Sequence, residues 1–289
     1  MLERAARPLR GVGNGIATAM RAIFGVLGAP GRFLQDFLNG VWLGHSLHAV
    51  LVDVVVGAAT AGLLLDVLRA FFGVEGLEVA ATWVVGLAWL AAIGSVVTGL
   101  TDFKDTSPDS AVRDVAFLHG AINVVGAGGL AFSTFLRIGG NHDAGFIGLA
   151  IGYAIVSVGA YIGGHVVFKY GYMVNANAFS RGKRAREFTA VMAADALPEA
   201  TPTKAMLGST AVVLVRRGEV VRALKDTCSH LGGPLSEGTP GDGTIECPWH
   251  ASVFRLADGA VVHGPATSRQ VSYRARIRAG QVELQGPES

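Results

Sequence analysis

Between residues 46 and 168 this sequence holds four stretches of membrane-spanning length from which charge is almost excluded. The second, at about 79–100, contains no charged residue; the third, at about 115–136, has only His119 as an ionisable group; the fourth, at about 144–168, has only His165. The first, at about 46–72, is the least clean, with Asp53, Asp66 and Arg69. A run of about 20 apolar residues crosses the hydrocarbon core of a bilayer. A soluble bundle with four such helices in succession is a poor alternative, so four transmembrane helices are expected. Composition agrees: 51% of residues are hydrophobic, 16% are charged and 40 are glycine, with a mean hydropathy of +0.44. Glycine at this frequency suits helices that approach closely in lipid. A net charge of +2 gives no footprint for nucleic acid.

Residues 1–44 are basic, with Arg4, Arg7, Arg10, Arg21 and Arg32. Arg21 and Arg32 interrupt any signal-peptide core. The segment reads as an amphipathic surface element, with arginines toward head groups and Ile23, Phe24, Leu27, Phe33, Leu34, Phe37 and Leu38 toward lipid. Basic residues concentrate here, at Lys104 and Arg113, and at Lys169, Arg181, Lys183, Arg184 and Arg186, whereas the loops near 73–78 and 137–143 hold only Arg137. The positive-inside rule then puts both termini in the cytoplasm of a multi-pass inner-membrane protein. Trp83, Trp89, Tyr153 and Tyr161 read as packing or interface anchors. Residues 171–185 are polar and read as a linker. From 186 to 287 short strand-like runs (Ala211–Val215, Val220–Leu224, Ser252–Leu256, Gln270–Ile277 and Gln281–Leu284) alternate with turns at Gly218, Asp258–Gly259 and Gly280. The expected domains are therefore the segment 1–44, a helical membrane domain at 45–170, the linker, and an all-β domain at 186–287.

The only cysteines, Cys228 and Cys247, exclude a disulfide framework. Each has a histidine close behind it, in Cys228-Ser229-His230-Leu231-Gly232-Gly233-Pro234-Leu235 and Cys247-Pro248-Trp249-His250, with sixteen residues from His230 to Cys247. Two thiolates and two imidazoles on two loops make a metal-ligand set, and spacing alone leaves a zinc site open. The loop residues resemble the Rieske family, whose pattern is C-x-H, a spacer of this length and C-x-x-H. Leu231-Gly232, Cys247-Pro248 and Gly264-Pro265-Ala266 add to that resemblance, which covers about the last 100 residues. It implies a [2Fe–2S] cluster with Cys228 and Cys247 on one iron, His230 and His250 on the other, and histidine edges facing solvent. The family's respiratory members carry a disulfide between the two loops; here those positions are Gly233 and Trp249. Ser252 matches a serine that donates to the cluster, whereas Phe254 stands where a tyrosine donor would be. The resemblance is thus nearer to Rieske ferredoxins, with a potential in the lower part of the family's range. An aromatic-ring oxygenase would add a large catalytic domain with a 2-His-1-carboxylate iron site, which is not expected here.

Residues of about 41–174 resemble a bacterial membrane-domain family, domain of unknown function 2231, through Gly44-His45-Ser46-Leu47-His48, Gly99-Leu100-Thr101-Asp102-Phe103 and His119. That family brings no established activity. The residues themselves say more. His119 lies six residues beyond Arg113 and His165 four before Lys169, about 9 and 6 Å along a helix axis. With His48 at the start of the first helix, all three fall in the cytoplasmic half of the bundle. Ionisable groups in membrane helices are functional candidates, set against the plain reading of interhelical hydrogen bonds. His48, His119 and His165 are therefore a candidate second site, for a haem b held by two of them or for a metal ion held by all three, with Asp102 as a further ligand. For His45 the plain reading is preferred, and for Asp53 and Asp66 helix packing and a proton path stay open.

The expectation that follows is membrane-anchored electron transfer, as a component of an oxidoreductase rather than a stand-alone enzyme. Its partners would be a redox protein or reductase, membrane lipids and, as a candidate acceptor, a quinone. A redox sensor that signals cluster state through the helices is the alternative from another class, and a plain anchor for the β domain is a third.

Overall fold

The computed structural model describes residues 2–179 and 185–287, and the chain divides into two compact units. The first comprises residues 1–39 and 46–172, the second residues 40–45 and the chain from Met173 onward.

The first unit is helical. A short α1 (Leu2–Ala6) precedes α2 (Arg10–Val26) and α3 (Gly28–Asn39). Four long helices follow: α4 (Leu47–Phe72), α5 (Glu78–Phe103), α6 (Ala111–Ile138) and α7 (His142–Gly164), the last continuing into a wider turn at His165–Lys169. These four are long and apolar enough to cross a membrane, with mean hydropathies of 2.1, 1.9, 1.6 and 1.9. Their starts and stops are chemically marked. The Ser110 hydroxyl accepts from the Arg113 amide and the Asn141 side chain from the Ala144 amide, each at 3.2 Å. Gly73 ends α4 in a left-handed conformation, φ 66°.

The long helices form a ring in which α4 packs on α5 and α7, and α6 on the same two, leaving α4 and α6 as the diagonal pair. Small residues set the spacing: a Cβ on Gly129 would lie 2.8 Å from the Gly152 Cα. Val55, Ala59, Val85, Ala88, Ala92, Leu130, Leu149 and Val156 fill the centre, whereas Phe71, Trp83, Leu87, Leu90, Phe132, Ile147 and Phe168 point outward. Inside this apolar frame Arg137 forms a fork with both oxygens of Asp66, and both side chains are fully buried. Asp66 is thus a packing residue, while Asp53 is exposed. The helices also run past the expected apolar runs. Asp102, Arg113, Asp114 and Arg137 lie inside them, buried, because each has a polar partner that hydropathy cannot register.

The N-terminal segment differs from expectation on its polar face. Ile23, Leu27, Phe33, Leu34 and Phe37 are exposed, but Phe24 is buried. Arg10 pairs with Asp114 at 2.6 Å, Arg21 donates to the Lys104 carbonyl and the Asn14 side chain accepts from Arg113 at 3.0 Å. Two of the five arginines are therefore committed to the α5–α6 turn rather than turned toward head groups, because that turn offers carboxylate and carbonyl acceptors.

The second unit is all β. One sheet has six strands in the order β1 (Ala185–Ala193), β10 (Gln281–Gly286), β9 (Ser272–Arg278), β4 (Val220–Lys225), β3 (Thr210–Arg217), β2 (Thr203–Leu207). A smaller sheet runs β5 (Thr239–Pro240), β6 (Thr244–Glu246), β7 (Val253–Arg255), β8 (Val261–His263). All named pairings are antiparallel. Strand β3 is shared between two cores: Val212 and Leu214 enter one with Val221, Val282 and Leu284, and Val213 and Val215 enter the other with Phe254 and Ile245. This explains its unbroken apolar run. The second core also contains Cys228 and Cys247. Of the expected linker, residues 180–184 lie outside the described residues. Its earlier part folds into this unit, with the Ala176 amide donating to the Ser229 carbonyl at 2.9 Å.

Candidate metal centre

The two Cys–His motifs fold as a repeated loop. The Cys228 amide donates to the Gly233 carbonyl at 2.8 Å, and the Gly232 amide returns to the Cys228 carbonyl at 2.9 Å. In the second loop the Cys247 amide donates to Ser252 at 2.8 Å and the Ala251 amide returns to Cys247 at 3.1 Å. Each loop closes on the residue five beyond its cysteine, and the residue four beyond it is left-handed: Gly232 at φ 83° and Ala251 at φ 58°. That conformation suits glycine at 232 and is strained for alanine at 251. The first loop follows β4, and the second joins β6 to β7.

This symmetry brings like donors together. The Cys228 and Cys247 thiols are neighbours, almost fully buried, and each perturbs the ionisation of the other. The His230 and His250 rings stand 5.0 Å apart, edge to face at 89°. The backbone amides of His230 and Leu231 turn toward the Cys228 sulfur, and those of Trp249 and His250 toward the Cys247 sulfur. The neighbouring thiol holds Cys228 up and pulls Cys247 down, with burial opposing ionisation at both. Two neighbouring thiols, each facing amide donors, and an imidazole pair fit a two-iron cluster with one iron per pair. A tetrahedral zinc would draw all four ligands to one point. Among the described residues, no three His, Cys, Asp or Glu side chains gather around one ion position.

Surrounding groups fix the loops. Phe254 is fully buried in the core that holds both cysteines. The Ser252 hydroxyl oxygen accepts from the Ala266 amide at 2.9 Å, which binds the Gly264-Pro265-Ala266 segment to the second loop and leaves the hydroxyl proton to donate elsewhere. A Cβ on Gly233 would lie 2.9 Å from the Cys247 sulfur and 3.0 Å from the Trp249 ring. The indole therefore covers the position where a bridging cysteine would start.

Three brace residues escaped the sequence reading. Gln270, 2% exposed, donates to the Lys225 and Thr227 carbonyls at 2.5 and 2.6 Å and accepts from the Ser229 amide at 3.0 Å. Asn177 donates to the Thr227 carbonyl at 2.9 Å, and the Ser229 hydroxyl to Ser268 at 2.7 Å. Gln270 reads in sequence as the opening of a strand, and nothing in its neighbours marks it as a brace. The expected solvent exposure of the histidine edges holds for His250, which is part-exposed. His230 is only 5% exposed, beside a small recess lined by Met173, Val174, Asn175 and Pro265. The correction follows from the folded-in linker, which walls that side.

In the helical unit the candidate histidines separate. The His48 and His119 rings approach to 6.2 Å. His165 does not join them: its ring packs on Tyr161 at 5.1 Å, with Nδ1 3.3 Å from the Tyr161 carbonyl. Asp102 stands apart from them, one carboxylate oxygen accepting from the Ser46 hydroxyl at 2.9 Å and the other buried without a partner among the described residues. A single ion held by all three histidines with Asp102 is thus not what these helices build.

Residues 187–274 match the model of the Rieske [2Fe–2S] domain, and residues 44–176 that of a predicted membrane protein family, DUF2231. The anthranilate 1,2-dioxygenase ferredoxin subunit of Burkholderia cepacia is 36% identical over 92 residues, which is 32% of this chain and 85% of that protein. The 3-phenylpropionate/cinnamic acid dioxygenase ferredoxin subunit of Escherichia coli strain K12 is 34% identical over 82 residues, 28% of this chain and 77% of that one. Among solved structures, the ferredoxin of carbazole 1,9a-dioxygenase from Nocardioides aromaticivorans IC177 aligns with 34% of this chain and 97% of its own, at 26% identity and a TM-score of 0.33. The chain belongs to the Rieske [2Fe–2S] family, with a ferredoxin-like electron-transfer domain that follows a helical region matching the predicted membrane protein family DUF2231.

Proposed function

We propose that this protein is a membrane-anchored electron carrier, in which Cys228 and Cys247 hold one iron of the cluster and His230 and His250 the other. The observation that carries this reading is the doubled loop, which pairs thiol with thiol and imidazole with imidazole. A [2Fe–2S] cluster so ligated supplies one-electron exchange at a potential above that of an all-cysteine cluster, since neutral imidazoles replace two anionic thiolates. The chain's own residues do the rest. The amides of His230, Leu231, Trp249 and His250 favour the thiolates over the thiols. Phe254 and the surrounding core keep water from the sulfurs. His250 and the half-exposed Trp249 offer the open side on which a redox partner would dock.

The relatives are by name ferredoxin subunits of dioxygenases, which supports a reductase as donor and an oxidoreductase as acceptor. The four apolar helices would hold this carrier at the inner membrane, within reach of a quinone as well as a soluble protein. The test uses full-length protein in lipid nanodiscs, reduced with dithionite and freed of excess reductant. Mixed in stopped flow with oxidised soluble ferredoxin or with a quinone analogue, it should reoxidise in a single turnover, and a His250→Ala variant should not. Reduction that alters amide exchange in the helices while no acceptor takes the electron would contradict a carrier and point to a sensor.

A further inference from the structure

The helical unit contains a second doubled arrangement. His48, at the start of α4, makes its Nδ1 contact with the Ser95 carbonyl of α5 at 2.8 Å; His119, in α6, makes the same contact with the Gly159 carbonyl of α7 at 2.8 Å. A carbonyl only accepts, so Nδ1 carries the proton in both rings. Asn123, 3.2 Å from the His119 Nδ1, directs its amide to the His119 carbonyl at 2.8 Å. Each acceptor carbonyl has a glycine one turn on, Gly99 and Gly163. A Cβ there would come within 3.0 Å of the His48 ring and 2.7 Å of the His119 ring. The two hairpins α4–α5 and α6–α7 thus repeat one device, a histidine seated over a glycine and tied to the neighbouring helix through Nδ1.

That device fixes the tautomer in which Nε2 bears an uncommitted lone pair. Neither Nε2 has a hydrogen-bond partner among the described residues. Such a nitrogen, within a membrane-length helix, is free to take a ligand. An Nδ1–H held by a backbone carbonyl is also the usual support of a metal-bound imidazole. The rings come from the diagonal helices and meet at a centroid distance of 6.2 Å, at 87° to one another. Two imidazoles on opposite sides of one metal, with metal–nitrogen bonds of about 2 Å and about 1 Å from nitrogen to ring centre, would stand about 6 Å apart.

We propose that the four-helix unit binds a haem b through the Nε2 atoms of His48 and His119. The count of ligands selects haem over a bare ion. A porphyrin brings four nitrogens and asks the protein for two axial ligands, whereas a lone divalent ion needs three or four protein donors, and no third His, Cys, Asp or Glu joins this pair among the described residues. The site does not depend on the electron-carrier reading, although it would give that reading an acceptor within the bundle.

The test is spectroscopic, on full-length protein produced with haem supplied and purified from membranes. One haem per chain is expected by pyridine haemochrome, with a Soret band and a sharp low-spin α band on reduction. His48→Ala and His119→Ala should each lower bound haem at least tenfold, while His165→Ala leaves it unchanged. Gly163→Val, which drives the His119 ring from its seat, should lose haem as well. Should the alanine variants fail to accumulate, His119→Met must retain haem with an altered axial-ligand spectrum. Protein that shows its cluster signal but no haem, even after titration with haemin, overturns the proposal and leaves the carrier reading intact. So does a low-spin haem retained in both alanine variants, or stoichiometric copper or zinc in its place. A haem without a cluster signal would support this site and overturn the carrier reading alone.

Discussion

At the residue scale, the two Cys–His loops were legible because cysteine and histidine are scarce and their spacing is specific. The braces were not, because Gln270 and Asn177 act on loop carbonyls distant in sequence. Phe254 is the residue through which potential can be tested. It lies in the core around both cysteines without a hydrogen-bond donor, so a midpoint nearer roughly −150 mV than +300 mV is expected. Phe254→Tyr should raise it and Ser252→Ala lower it in protein-film voltammetry, since donors to the cluster or its ligands favour the reduced, more negative state. A native midpoint near the upper end, unmoved by either change, would contradict the assignment. A second prediction concerns the loop contact at Gly233. A methyl there meets the Cys247 sulfur and the Trp249 ring, so Gly233→Ala should reduce iron content per chain even though every ligand remains.

At the element scale, hydropathy found the four helices but placed the ends of α5 and α6 short, because polar residues with partners, Asp102, Asp114 and Arg137, lie buried inside them. Arg137 illustrates this. It reads in sequence as a loop charge and is in the structure a fully buried partner of Asp66 on another helix. Removing one member leaves the other charge unpaired in an apolar interior, a loss of about 3–5 kcal/mol in comparable buried pairs. Asp66→Ala and Arg137→Ala should each lower the thermal midpoint of the detergent-solubilised protein strongly, whereas Asp66→Leu with Arg137→Leu should recover most of it. Equal losses in the single and double variants would show that the pair is not the source of the stability. The same reasoning explains the N-terminal helices: amphipathicity announced a surface element, but only the fold shows that Arg10 and Arg21 have protein acceptors.

At the scale of the whole molecule, the sequence separates into a charge-poor half and a strand-rich half, and the structure divides into units at nearly that place. The division was legible because membrane helices and small β domains obey different periodicities. The fate of residues 173–179 was not, since a polar segment gives no sign that it will add backbone hydrogen bonds to a loop. Loop charges set the expected topology, and burial of Arg137 leaves the 137–143 turn with less positive charge than its sequence suggests. A reporter fused after Ser289 should therefore be active only in the cytoplasm, and one inserted near Gly76 only outside; the reverse pattern would place the metal centre across the membrane. Electron transfer by this chain depends above all on what Cys228, His230, Cys247 and His250 hold. The most direct measurement is the EPR spectrum of the dithionite-reduced, full-length protein together with its iron and zinc content. The low average g-value of mixed histidine and cysteine ligation is expected, lost in His230→Ala and in Cys247→Ala. Stoichiometric zinc without iron in anaerobically prepared protein, or an all-cysteine type signal that survives loss of His230, would contradict it.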